Sequence, residues 1–223
     1  MSDIGEPRLT QKSRTRDRIV VAARELFAAK GFDAVTVNEL AASAGVSVQT
    51  VFNHFPSKER IFFVQQADWV EGAAVAVMQR AAGEAPEVAL RRHLVAAVEG
   101  YARAAGDPAH RRMMQVLEDS PALCSYERCL HDEAVALLAD ALTTAYGWCD
   151  DQDAPRRPVL ADLVASVWLA PVRTVALDLR ANPPAPDDEA AVVAAGALIG
   201  RVLDDLAASF TISGVELTNA GGR

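Results

Sequence analysis

The chain has 223 residues, 51% of them hydrophobic, enough for one or two domains with a sizeable buried core. Its 22 Lys and Arg against 30 Asp and Glu give a net charge of −8, which excludes a uniformly basic coat for nucleic acid. No apolar run approaches a membrane span and the N-terminus lacks a signal-peptide core, so a cytoplasmic protein is expected.

The charge is unevenly spread. Residues 1–62 hold nine basic and seven acidic residues, a net of about +2, and the remainder carries about −10. Arg8, Lys12, Arg14, Arg16 and Arg18 cluster ahead of the first expected helix, as an arm suited to following a polyanionic backbone. Within residues 13–31, Ile19, Ala22, Ala23, Leu26 and Phe27 share one face of that helix, which stops at Lys30-Gly31.

Residues 36–55 then read as a helix, a tight turn and a second helix. Thr36 and Glu39 form a Thr-x-x-Glu capping box. Val37, Leu40, Ala41 and Ala44 make the buried stripe of the first helix. Gly45 stands where a sharp turn requires positive φ, and Ser47 caps the next helix. The second helix is expected to bury Val48, Val51, Phe52 and Phe55. It leaves Gln49, Thr50, Asn53 and His54 outside, side chains that can read base edges or hold phosphates. Such a unit places one short helix in the DNA major groove. The rival is a plain helical hairpin with a polar face.

Residues 13–62 resemble the DNA-binding domain of the TetR family of transcriptional regulators. Arg18-Ile19, Ala23 through Phe27, Gly31-Phe32, Thr36 through Ala41, Ala44 through Ser47 and Thr50 through Glu59 carry the likeness. The resemblance implies phosphate or base contacts at Thr36, Ser47, Gln49, Thr50, Asn53, His54 and Lys58. It also sets Phe52 where the family most often has a tyrosine whose hydroxyl meets phosphate, a donor that phenylalanine lacks.

The helical pattern continues to the end, so an all-α fold is expected. Ser57 caps a long helix to about Ala82. Pro86 opens one to about Ala105, Pro108 a short one to Leu117, and Pro121 another to Tyr146. Residues 147–157 read as a loop, 158–181 as a helix kinked at Pro171, 182–186 as a rigid connector and 188–210 as the last helix, with a frayed tail from Thr211. In the last helix Val192, Gly196, Ile199, Leu203, Leu206 and Phe210 follow an a/d spacing. With the apolar helix before it, that seam is expected to build a four-helix interface between two copies, the homodimer that the resemblance implies.

The resemblance further implies a small-molecule pocket in the C-terminal segment. Candidate lining residues are Trp69, Tyr101, Met113, Met114, Leu117, Tyr126, Trp168 and Arg173, aromatics, methionines and one charge that suit an apolar ligand with a polar handle. Residues 112–123 with Arg128 also resemble a regulator branch, the mycofactocin-type regulators, that senses acyl-CoA; the ligand stays open. Cys124, Cys129 and Cys149 lack zinc-like spacing and read as packing thiols. Glu127 and His131 read as a mixed-charge helix surface. No metal set, phosphate loop or nucleophile elbow is present, so neither an enzyme nor a cofactor is expected.

The expected organisation is a helix-turn-helix domain over 1–62 and a ligand-binding and dimerisation domain over 63–223. The expected activity is repression at a palindromic operator, released by a ligand. A constitutive or activating DNA binder is the alternative, and an all-α enzyme with an incidental helix-turn-helix the weaker one.

Overall fold

A computed structural model describes residues 6–147 and 157–212, with side chains described for most of that span. Residues 148–156 of the expected loop, Cys149, the side chain of Phe210 and the tail from residue 213 lie outside the described residues. The fold is all-α. In chain order the helices are α1 (Glu6–Lys30), α2 (Val37–Ala44), α3 (Val48–His54), α4 (Lys58–Phe62), a 3-10 turn (Phe63–Gln66), α5 (Ala67–Met78), α6 (Pro86–Ala105), α7 (Pro108–Glu118), α8 (Pro121–Ala145), α9 (Arg157–Ala181) and α10 (Glu189–Ile212). α6, α7 and α8 each begin on a proline, whose missing N–H costs nothing in a first helical turn.

Two compact units result. One joins Met1–Gln66 with Arg112–Glu127; the other joins Ala67–Arg111 with Arg128–Arg223. The expected single boundary at residue 62 did not anticipate that residues 112–127 group with the N-terminal segment. The reason is local. The Ser120 hydroxyl, 2% exposed, donates to Asp33 at 2.9 Å, and Tyr126 stacks on Phe63 with centroids 5.5 Å apart.

In the first unit α1 buries Ile19, Ala22, Ala23 and Phe27, packing on α2 and α4. Phe27, Phe32 and Phe62 form a ring cluster with centroids 5.1, 5.9 and 6.1 Å apart. The long helix expected from Ser57 to Ala82 is instead three pieces. Phe62 turns to Phe27 and Phe32 while Phe63 turns to Tyr126, and the tighter 3-10 winding begins where these neighbouring rings diverge.

In the second unit α6 is the shared surface. Leu90, Leu94, Val98 and Ala102 recur every fourth residue and are at most 3% exposed, and α5, α9 and α10 all pack on α6. This overturns the expected role of the α10 seam. Val192, Ile199 and Leu203 are buried within the chain itself, and Leu206 is half-buried. A Cβ at Gly196 would collide with Glu99, and one at Gly200 would lie 2.9 Å from the Arg91 guanidinium, so both glycines serve close approach to α6. Arg91 closes the same seam with a bidentate pair to Asp204, at 2.5 and 2.9 Å. The a/d spacing specifies a shallow helix crossing, and that crossing is intramolecular here.

α9 continues through Pro171 without interruption. Ala161, Val164, Ala165, Trp168, Leu169 and Val172 face inward; Leu163, Ser166, Ala170, Thr174 and Leu177 face solvent. Against the expectation that no apolar run approaches a membrane span, Val159–Ala181 is long and apolar enough to cross one by length and composition alone, a test that a core helix packed on α6 and α10 also passes. Cys129, expected as a packing thiol, is exposed on α8.

Candidate nucleic-acid interface

The turn between α2 and α3 is built from caps. Thr36 Oγ1 accepts from Glu39 N at 3.2 Å, and the Glu39 carboxylate accepts from Thr36 N at 2.8 Å, so the capping box is complete. Glu39 also pairs with Lys30 at 2.7 Å. The Lys30 contact first, and then the two from Thr36, hold its carboxyl at about 2 against an ordinary 4.5. Gly45 adopts the left-handed conformation at φ 62° and closes α2. Ser47 Oγ then accepts from Thr50 N at 3.1 Å to start α3.

Two arginines of α1 fix this geometry. The Arg18 guanidinium donates to Ala44 O and, at 3.1 Å, to Gly45 O, satisfying carbonyls at the end of α2. Arg16 lies over the Phe55 ring, 5.3 Å from its centroid, at the end of α3. Both were expected in an arm ahead of the first helix. Because α1 begins at Glu6, the basic cluster is helical, and Arg18 is turned onto the protein. Lys12 and Arg14 remain exposed on α1.

α3 presents a short polar face. Val51 and Phe55 are buried at 1% and 2%, and Val48 is half-buried. Phe52, expected to be buried with them, is 48% exposed. At about 100° per residue it falls on the shoulder of the buried stripe, toward Gln49 and Asn53. Both of those are exposed, and Gln49 Nε2 donates to Asn53 Oδ1 at 3.0 Å. Thr50 and His54 are half-buried, while Thr36 and Ser47 are exposed at the starts of α2 and α3. Ser47 Oγ and Thr50 Oγ1 share a hydrogen bond of 2.8 Å.

Lys58 is differently disposed from a free surface cation. Its ammonium donates to Phe32 O and Val35 O, each at 2.8 Å, and sits over the Phe32 ring at 4.1 Å. Only one of its three N–H bonds is left by those two carbonyls. The clasps made by Arg18 and Lys58 reach 26 residues along the chain and have no local sequence signature.

Residues 19–64 match the bacterial regulatory proteins of the tetR family. The chain is 30% identical over 161 residues to the transcriptional regulator TcmR of Streptomyces glaucescens, covering 70% of this chain and 71% of that one. The chain belongs to the TetR family. As a TetR-family transcriptional regulator it shares its fold with NalD of Pseudomonas aeruginosa, the secondary repressor of the MexAB-OprM multidrug efflux pump. The TM-score is 0.54 at 17% identity, over 86% of this chain and 96% of NalD. It likewise shares it with SmeT, solved with triclosan, with a TM-score of 0.50 at 18% identity over 83% of this chain and 89% of SmeT.

The ligand-lining candidates of this TetR-family chain do not fall in one unit. Met113, Met114, Leu117 and Tyr126 lie in the first; Trp69, Tyr101, Trp168 and Arg173 lie in the second. Met114, Leu117 and Trp168 are buried and the other five half-buried. Tyr101 sits edge-on to His110 at 5.5 Å, and its hydroxyl accepts from Arg180 Nε at 3.3 Å. Trp168 is 2% exposed, and its indole N–H has no acceptor among the described residues.

Proposed function

We propose that this regulator is a cytoplasmic repressor that binds an inverted-repeat operator as a homodimer and leaves it when a small apolar or amphipathic molecule binds the helical C-terminal unit. The observation that carries the DNA half is the outward face of α3. There the amides of Gln49 and Asn53 are pre-set by a 3.0 Å bond and exposed, and the turn behind them is fixed by the caps and by Arg18. Thr36, Ser47, Thr50, His54 and the remaining N–H of Lys58 surround that face and suit phosphate contacts.

The homodimer reading rests on the solvent side of α9 and α10. Leu163 and Leu177 of α9, with Val193 and Leu198 of α10, are 44–56% exposed and interleaved with small residues. That composition suits close helix packing against a second copy. The ligand reading is supported by Trp168, because a buried donor without an acceptor asks for a partner. SmeT, of like fold, takes triclosan, and NalD represses a multidrug pump.

The test is a pair of titrations. A ligand found by thermal-shift screening is titrated into the protein with and without operator duplex. A tenfold loss of operator affinity needs about 1.4 kcal/mol of coupling, and the duplex must weaken the ligand by the same factor. Equal ligand affinity in both titrations overturns induction and leaves a constitutive DNA binder.

A further inference from the structure

We propose that Phe52 is a specificity-determining residue that reads the 5-methyl group of a thymine in the major groove. The proposal rests on the DNA-binding reading above. Phe52 is the one aromatic among the strongly exposed apolar side chains of the described residues. A single exposed apolar side chain is ordinary on a protein surface; its location gives this one its meaning. It stands on α3 one turn after Gln49 and immediately before Asn53, beside the amide pair that faces outward.

The chemistry of base edges then narrows the partner. The hydrogen bond from Gln49 Nε2 to Asn53 Oδ1 leaves Gln49 Oε1 as an acceptor and Asn53 Nδ2 as a donor. That pattern complements the N6 amino group and N7 of adenine. The apolar group that a base edge offers in the major groove is the thymine methyl. A phenyl ring has no donor with which to hold a phosphate. A ring beside an adenine-reading amide pair is therefore matched to a thymine of the same or the adjoining base pair.

A duplex enriched from a random pool by the full-length protein is remade with deoxyuridine at one thymine at a time, which removes only the methyl group. Removing one buried methyl is expected to weaken wild-type binding about fourfold per half-site, from about 0.8 kcal/mol per buried carbon. Phe52→Ala is expected to bind the parent duplex more weakly and to lose nothing further at that same thymine. Phe52→Leu, which stays apolar, is expected to keep part of the methyl dependence. The proposal is overturned if no thymine is methyl-sensitive, or if Phe52→Ala shows the same sensitivity as wild type. Wild-type protein that enriches no duplex overturns the DNA-binding reading as well, which separates the two failures.

Discussion

Two of the three N–H bonds of the Lys58 ammonium are taken by Phe32 O and Val35 O, so this residue is first a clasp on the end of the α1–α2 connection. Lys58→Ala is expected to cost about 1.5–3 kcal/mol of stability without any DNA present, the range for hydrogen bonds to a charged group. Chemical denaturation of the free protein checks it, and an unchanged midpoint contradicts it. Gln49→Ala or Asn53→Ala is expected to leave stability intact and to cost about 1–3 kcal/mol of operator affinity. Glu39 gives a pH signature. Its folded-state carboxyl is held at about 2, below an ordinary 4.5, by Lys30 first and Thr36 next. Its contribution is therefore present above pH 4.5 and lost as pH falls toward 2. Glu39→Gln should flatten the acid limb of unfolding in that window, and an unchanged limb would exclude the linkage.

At this scale the capping residues were legible, because a cap is a rule over three or four positions. The box at Thr36 and Glu39, Gly45 at positive φ and Ser47 all stand as their spacing predicts. Arg18, Lys58 and Phe52 were not. The first two act across 26 residues, and Phe52 sits on the edge of a stripe where periodicity alone does not decide burial.

Among the elements, the proline-started helices were readable because proline marks a first turn wherever it falls. The break between α4 and α5 was not, since the partners of Phe62 and Phe63 come from distant segments. The α10 seam shows the same limit more sharply. Val192, Ile199 and Leu203 follow the spacing for helix packing, but spacing says nothing about which chain supplies the partner, and here it is α6. Leu203→Asp should therefore bury an unpaired charge in the chain's own core and unfold the protein. Leu198→Asp, on the exposed side of α10, should fold and sediment as a monomer. A folded Leu198→Asp protein that stays dimeric moves the interface off this face.

For the whole molecule, the charge division and the family membership point the same way. A segment of net positive charge carries the helix-turn-helix, and the acidic remainder is repelled by DNA. The proposed ligand site was the least legible part. Pocket linings depend on which side chains meet in three dimensions, and the eight candidates divide between two units. The most direct measurement is enrichment of duplexes from a random pool by the full-length protein, followed by sedimentation of the complex. A homodimeric repressor gives an inverted repeat with half-site centres about 34 Å apart or a multiple of it, and two chains per duplex. Enrichment of an asymmetric site held by one chain, or of no sequence at all, would contradict it.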